Sequence, residues 1–211
     1  MEQKSKEWIE IRQGRFTASE CYKLMGKKYG YNLSDWTETA QSYILTKAAE
    51  SFSEPMPEIK SAPISWGNEH EDEAKAYYEA LFKEEIENVG FILWPENNEC
   101  GCSPDGIVKG GNKGIEIKCP YTLEKHLESF LIKTNFDFKK CRPEYYWQIQ
   151  MSMLCSGYDV WDFVSYHPNF NSKTRVNCIE ILRDKEDVDS LKERLNLAVK
   201  IKKSIIKSIV L

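Results

Sequence analysis

Two short segments constrain this chain more than any others: Ser103-Pro104-Asp105-Gly106 and Gly114-Ile115-Glu116-Ile117-Lys118. Gly110-Gly111-Asn112, between two β-type runs, is a strong turn signal, so the two segments are expected on neighbouring strands. Side chains alternate across a strand, so Glu116 and Lys118 share one face and Ile115 and Ile117 the other. The isoleucines can enter a core while Glu116 and Lys118 project beside Asp105.

Two carboxylates meeting at one point suit Mg²⁺, a hard cation that takes oxygen ligands and keeps several waters. A lysine beside such an ion can orient or deprotonate a water and offset charge on a phosphate. The residue types therefore suit phosphodiester hydrolysis. A bland alternative stands beside this reading, namely a hairpin whose Glu116 and Lys118 form an exposed same-face ion pair of little energetic consequence.

The 211 residues suffice for one α/β domain with a full core. The reading is of one domain over 1–211, with N-terminal helices at 5–52, a catalytic core at about 65–182 and a C-terminal helix at about 184–207. No run of 18 apolar residues is present, and the N-terminus lacks a secretory apolar region. The expected location is the cytoplasm of a bacterial or phage-infected cell, away from membranes. Seven scattered cysteines without a C-x-x-C pair argue for thiols rather than disulfides or a zinc site.

The formal net charge of −4 is awkward for a nucleic-acid partner. Acids gathered around a metal would account for part of it. Basic residues cluster at Lys23, Lys27 and Lys28, at Lys133, Lys139, Lys140 and Arg142, and at Lys200, Lys202, Lys203 and Lys207. Each cluster is also readable as a solvated face, the last one most of all.

Along the chain, a helix is expected over 5–13. Thr17-Ala18-Ser19-Glu20 has the capping-box pattern for a second helix. Helical spacing follows over 35–52 and 65–83, separated by a loop from Ser53 to Pro63 that holds three prolines. Strands are expected at about 86–94, 99–108 and 114–119, a short helix at 122–132, and a polar, basic loop to Arg142. Pro143 opens a helix through Cys155 that stops at Gly157. Strands at about 159–166 and 175–182 and the C-terminal helix complete an order that fits an α/β domain with a mixed sheet.

Pro-Asp, a gap and Glu-x-Lys resemble the signature of restriction-endonuclease-like nucleases. Four further stretches sharpen the resemblance. Arg12-Gln13-Gly14-Arg15-Phe16-Thr17-Ala18-Ser19, Trp66-Gly67-Asn68-Glu69-His70-Glu71-Asp72-Glu73-Ala74, Glu116-Ile117-Lys118-Cys119-Pro120 and Tyr146-Trp147-Gln148-Ile149-Gln150-Met151 are similar, in order, to motifs of the lambda-type exonucleases, the YqaJ-like viral recombinase nucleases. The resemblance runs from residue 12 to about 151.

It implies a restriction-endonuclease-like mixed β-sheet core flanked by helices. It also implies a Mg²⁺-dependent 5′→3′ exonuclease, with Mn²⁺ able to substitute. Such enzymes act on double-stranded DNA ends as a homotrimer and leave a 3′ tail for a single-strand annealing protein. Carried onto this sequence, Asp105, Glu116 and the Ile117 carbonyl would hold metal, and Lys118 would act on the attacking water. Glu71 would help position water or metal, and Gln148 would steady Lys118 or the nucleophile. Arg12, Thr17, Ser19 and Ser103 would surround the 5′-terminal phosphate.

The residues taken alone leave alternatives. Glu71 borders an apolar helix face but lies in an acidic run, where an ordinary surface role is the simpler reading. Gln150 is as good a candidate as Gln148. His70 reads as a half-buried helix residue before a metal ligand. A phosphate at the start of the helix near Thr17 would meet free N–H groups and a positive dipole end, although Ser19 could be an unremarkable first-turn residue. An endonuclease, a nuclease of other polarity and a non-catalytic DNA-end-binding subunit remain as competing functions.

Overall fold

The structure, a computed structural model, describes residues 1–26, 28–56 and 61–210. Lys27 of the first basic cluster and residues 57–60 of the proline-containing loop lie outside the described residues.

A first helix, α1 (Lys6–Arg12), is capped by Ser5, whose hydroxyl accepts from the Trp8 amide. The chain then makes a two-residue strand, β1 (Phe16–Thr17), and a 3-10 helix over Ala18–Leu24. The regular helix and capping box expected here do not form. Thr17 makes no side-chain cap bond, and its amide donates to the Tyr43 hydroxyl. Glu20 pairs with Lys23 and Lys47 instead of turning back to Thr17. α2 (Glu38–Ala49) starts later than its apolar spacing indicates, because Trp36 is extended and Thr37 supplies the cap. α3 (Ala62–Phe82) starts earlier, with Ser61 as cap and Pro63 in its first turn, where a missing N–H costs nothing.

The two long strands expected at 86–94 and 99–108 are each broken in two. The pieces are β2 (Ile86–Glu87) with β3 (Ile92–Trp94), and β4 (Asn97–Cys102) with β5 (Gly106–Val108). One sheet has the order β1-β4-β3. The other has the order β2-β5-β6-β7-β8, adding β6 (Lys113–Lys118), β7 (Val160–Tyr166) and β8 (Val176–Leu182). Both breaks fall at one level. Gln3 Nε2 donates to the Val89 carbonyl at 2.9 Å and to the Pro104 carbonyl at 2.7 Å. Pro104 has no N–H with which to continue a ladder. A side chain at Gly90 would place its Cβ 2.5 Å from the Met1 carbonyl. The N-terminal segment is thus stitched across the point where the strands change sheets.

The β5–β6 hairpin turns at Gly110-Gly111-Asn112 as expected, with β6 then running parallel to β7. The crossover carries α4 (Leu123–Ser129), α5 (Asn135–Cys141) and α6 (Pro143–Ser156). α5 replaces part of the expected polar loop. Thr134 caps it through the Asp137 amide, and Phe138 is fully buried beneath it. α7 (Lys185–Val210) buries Leu191, Leu195, Ala198 and Ile201 on one face.

Both faces of the five-stranded sheet are covered. Val176 and Cys178 pack with Tyr78, Ile115 and Ile117, while Ile179 and Ile181 pack with Phe138 and Phe163. That explains the imperfect polar–apolar alternation of β8. The expected α/β class with helix-flanked mixed sheets is what the chain adopts, divided into two sheets. All seven cysteines are free. Cys21, Cys100, Cys102 and Cys155 sit in one core cluster, where burial pushes the Cys100 thiol up to about 12. Among the described residues, no helix is long and apolar enough to cross a membrane.

Candidate active site

β6 presents Glu116 and Lys118 to one side, and the break between β4 and β5 presents Asp105 next to them. Asp105 Oδ2 accepts the Ile117 amide at 2.6 Å, which locks its carboxylate against the middle of the Glu-x-Lys segment. Lys118 Nζ lies 2.5 Å from Glu116 Oε1, and the same oxygen accepts Gln148 Nε2 at 2.7 Å. Glu116 is completely buried, so the exposed-ion-pair reading of this hairpin fails.

The two carboxylates oppose each other's ionisation. Burial, and then the charge of Asp105, push the Glu116 carboxyl up to about 8, while Lys118 pulls it back. Burial alone would lower the Lys118 pKa, but the Glu116 and Asp105 charges and the direct hydrogen bond raise it further. The hydrogen bond from Lys118 Nζ to Glu116 Oε1 places the lysine beside the two carboxylates, where it can orient water and offset charge on a phosphate. Glu71, on α3, is half-buried above Ala74 and Tyr78, unlike its exposed neighbours Glu69, Asp72 and Glu73. Its carboxyl is raised by burial and then by Asp105, so it feels the site directly.

Glu116 Oε2 is buried and has no hydrogen-bond partner among the described residues. Among the described residues, no group of three or more His, Cys, Asp or Glu side chains is arranged to hold a metal ion. The donors on offer are two carboxylates and backbone, a sparse set that suits an ion retaining several waters.

The two glutamines separate cleanly. Gln148 points at Glu116. Gln150 is fully buried, donates to the Leu182 carbonyl and accepts the Asp184 amide, joining β8 to the start of α7. His70 lies against Trp66 and beside Glu73, the half-buried helix position expected of it.

The candidate phosphate residues gather in two contacts. Arg12 Nη1 donates to Ser103 Oγ at 3.1 Å and its guanidinium stacks over Trp8, which also donates to Ser103 Oγ. Thr17 Oγ1 is 3.4 Å from Ser19 Oγ. Arg12 and Thr17 line one cavity of about 640 Å³. The proposed helix N-terminus beside them is only a short 3-10 turn, so its dipole adds little.

Lys47, on the same cavity wall, was not anticipated. It is buried and reaches Glu20 and Glu50. Its signal was available: at position 47 it falls on the apolar stripe of Ala40, Tyr43, Ile44 and Ala48. Tyr145 was also missed. It lies one turn before Gln148, and its ring centroid is 5.3 Å from Lys118 Nζ.

Several basic residues are spent internally. Lys23 pairs with Glu20, Lys139 with Asp187 and Arg142 with Glu128. Lys202, expected on a solvated face, is buried, where it binds the Gly14 carbonyl and Glu99.

A family model of the YqaJ-like viral recombinase domain matches residues 7–159. Among solved structures, the chain is similar to an alkaline exonuclease from Laribacter hongkongensis. The two share 29% sequence identity and a TM-score of 0.83 over 97% of this chain and 96% of that one. That enzyme is also known in complex with dAMP. A phage-related exonuclease from Haemophilus somnus 129PT shares the fold at 19% identity and a TM-score of 0.75, over 95% of this chain and 99% of that one. No curated protein matches significantly.

Proposed function

Because the chain belongs to the YqaJ-like viral recombinase domain family, we propose that it is a Mg²⁺-dependent 5′→3′ exonuclease. It degrades one strand of linear double-stranded DNA and leaves a 3′ single-stranded tail for recombination by strand annealing. The protein is a nuclease, acting as a single domain over 1–211. The observation that carries the metal-dependent reading is the geometry at Glu116. One carboxylate oxygen is held by Lys118 and Gln148, and the other is buried beside Asp105 with no partner among the described residues.

Asp105, Glu116 and the Ile117 carbonyl would hold the ion. A hard divalent cation held there would supply water activation and charge compensation at the scissile phosphate. Lys118 orients the attacking water and adds positive charge at the phosphate. Gln148 fixes the rotamer of Glu116, and Glu71 borders the water side of the site. Arg12 and Ser103 receive the 5′-terminal phosphate through charge-assisted hydrogen bonds, with Thr17 and Ser19 beside them. The enzyme works as a homotrimer with a single-strand annealing protein, in the cytoplasm of a bacterial or phage-infected cell. Mn²⁺ substitutes for Mg²⁺.

The test is digestion of linear duplexes labelled at either end, carrying a 5′-phosphate or a 5′-hydroxyl, with Mg²⁺ or with chelator. The expected result is metal-dependent release of the 5′ label first, and faster digestion of phosphorylated ends. Losing contacts of about 1.5–3 kcal/mol each makes Arg12→Ala at least about tenfold slower on those ends. Release of the 3′ label first would overturn the polarity, and digestion in chelator would overturn the metal.

A further inference from the structure

We propose that Tyr145 is a positioning residue for the Lys118 ammonium, an inference that rests on the nuclease reading of the same site. Tyr145 and Gln148 are three residues apart on α6 and so share a helix face. That face is turned towards the end of β6. Gln148 holds Glu116 Oε1, and the Tyr145 ring stands 5.3 Å from Lys118 Nζ. The ammonium therefore lies within reach of two partners, the carboxylate oxygen at 2.5 Å and an aromatic ring.

The ring is itself fixed. Tyr145 stacks on Phe163, with centroids 5.5 Å apart and planes 27° apart. Phe163 is buried, and it is the β7 residue in register with Glu116. Sheet register, helix face and aromatic stack thus place this ring beside this lysine.

The chemistry gives the arrangement a purpose. A lysine side chain is long and flexible, and its ammonium carries three N–H donors. A second carboxylate would hold it but would take a donor and cancel its charge. An aromatic ring attracts the cation through its quadrupole while staying neutral. Donors remain for water or for a phosphate oxygen, and the charge remains to act on them. Tyr145 restrains Lys118 without occupying it.

The experiment compares Tyr145→Phe, which keeps the ring, with Tyr145→Leu and Tyr145→Met, which remove it. Met fills similar space should Leu disturb folding. The attraction corresponds to a fall in kcat of about 3- to 30-fold for Leu or Met, with KM for duplex DNA and metal affinity by calorimetry unchanged and with Phe restoring kcat. In a Lys118→Ala background, Tyr145→Leu is expected to cost nothing further.

A second readout needs no activity. With ¹³C-labelled lysine, the Lys118 ε-methylene signal is shifted by the ring current in wild type and in Tyr145→Phe, and the shift is lost in Tyr145→Leu. Wild-type kcat in both Leu and Met variants would overturn the proposal. So would an equal loss in the Lys118→Ala background, or a Phe variant as impaired as Leu. If the wild-type protein digests no DNA, the nuclease reading falls, and the presence or absence of the ring-current shift still decides whether Tyr145 holds Lys118.

Discussion

Gln148 and Gln150 sit two residues apart on α6 and look interchangeable in one dimension, yet removing each should damage a different property. On a helix, residues two apart face nearly opposite ways. Gln148→Leu removes a hydrogen bond to the Glu116 carboxylate, 2.7 Å long in the intact protein. Bonds to charged groups are worth about 1.5–3 kcal/mol, which corresponds to a rate loss of about 10- to 100-fold if the bond persists through the reaction. Gln150→Leu removes two bonds, one to the Leu182 carbonyl and one from the Asp184 amide. At about 0.5–1.5 kcal/mol each, the loss is about 1–3 kcal/mol. For a chain of this size that lowers the thermal midpoint by roughly 2–12 °C. Because Gln150 points at the β8–α7 junction, kcat of the folded Gln150→Leu enzyme should stay within about threefold of wild type. Calorimetric melting and single-turnover digestion of a labelled duplex would be run on both variants. The reasoning is refuted if Gln148→Leu digests DNA at the wild-type rate, or if Gln150→Leu loses activity with no change in melting.

Lys118→Ala should lower the rate by about 10²–10⁴-fold while calorimetry shows metal affinity kept or raised; a variant that cuts normally but binds metal poorly would make Lys118 structural. Gly114→Ala should cost about 1–3 kcal/mol by overpacking, because its Cβ would lie 2.3 Å from the rigid, buried Trp161 ring; urea titration with an unchanged midpoint would count against this. His126 is buried, bonded to Ser165 Oγ and to the Thr174 carbonyl, and burial lowers its pKa. The unfolded chain then takes up the proton first as pH falls, so stability present above about 6.5 is lost below it. His167 is lowered in the same sense, by burial and by the neighbouring His126 and His70. Urea midpoints at pH 7.5 and 5.5 should therefore diverge in wild type and diverge less in His126→Gln; equal slopes would exclude His126 as a source.

Much of the candidate site's geometry was legible because its logic is local. The two-residue period of β6 puts Glu116 with Lys118 and Ile115 with Ile117 whatever lies outside the strand. The Gly110-Gly111-Asn112 turn brings Asp105 alongside, and Pro143 marks the start of α6. The apolar face shared by Ala74 and Tyr78 indicated that Glu71 borders the core.

What long-range contacts decide was not legible. The strands at 86–94 and 99–108 read as continuous, and only the crossing of Gln3 over Val89 and Pro104 shows why they divide between two sheets. Thr17 and Glu20 carry a capping pattern that loses to Tyr43, Lys23 and Lys47, all better placed in three dimensions. Periodicity says which side chains share a face, but not what that face meets. For that reason the contacts of Gln148, Gln150, Lys47, Tyr145 and Lys202 were set only when distant segments closed around them.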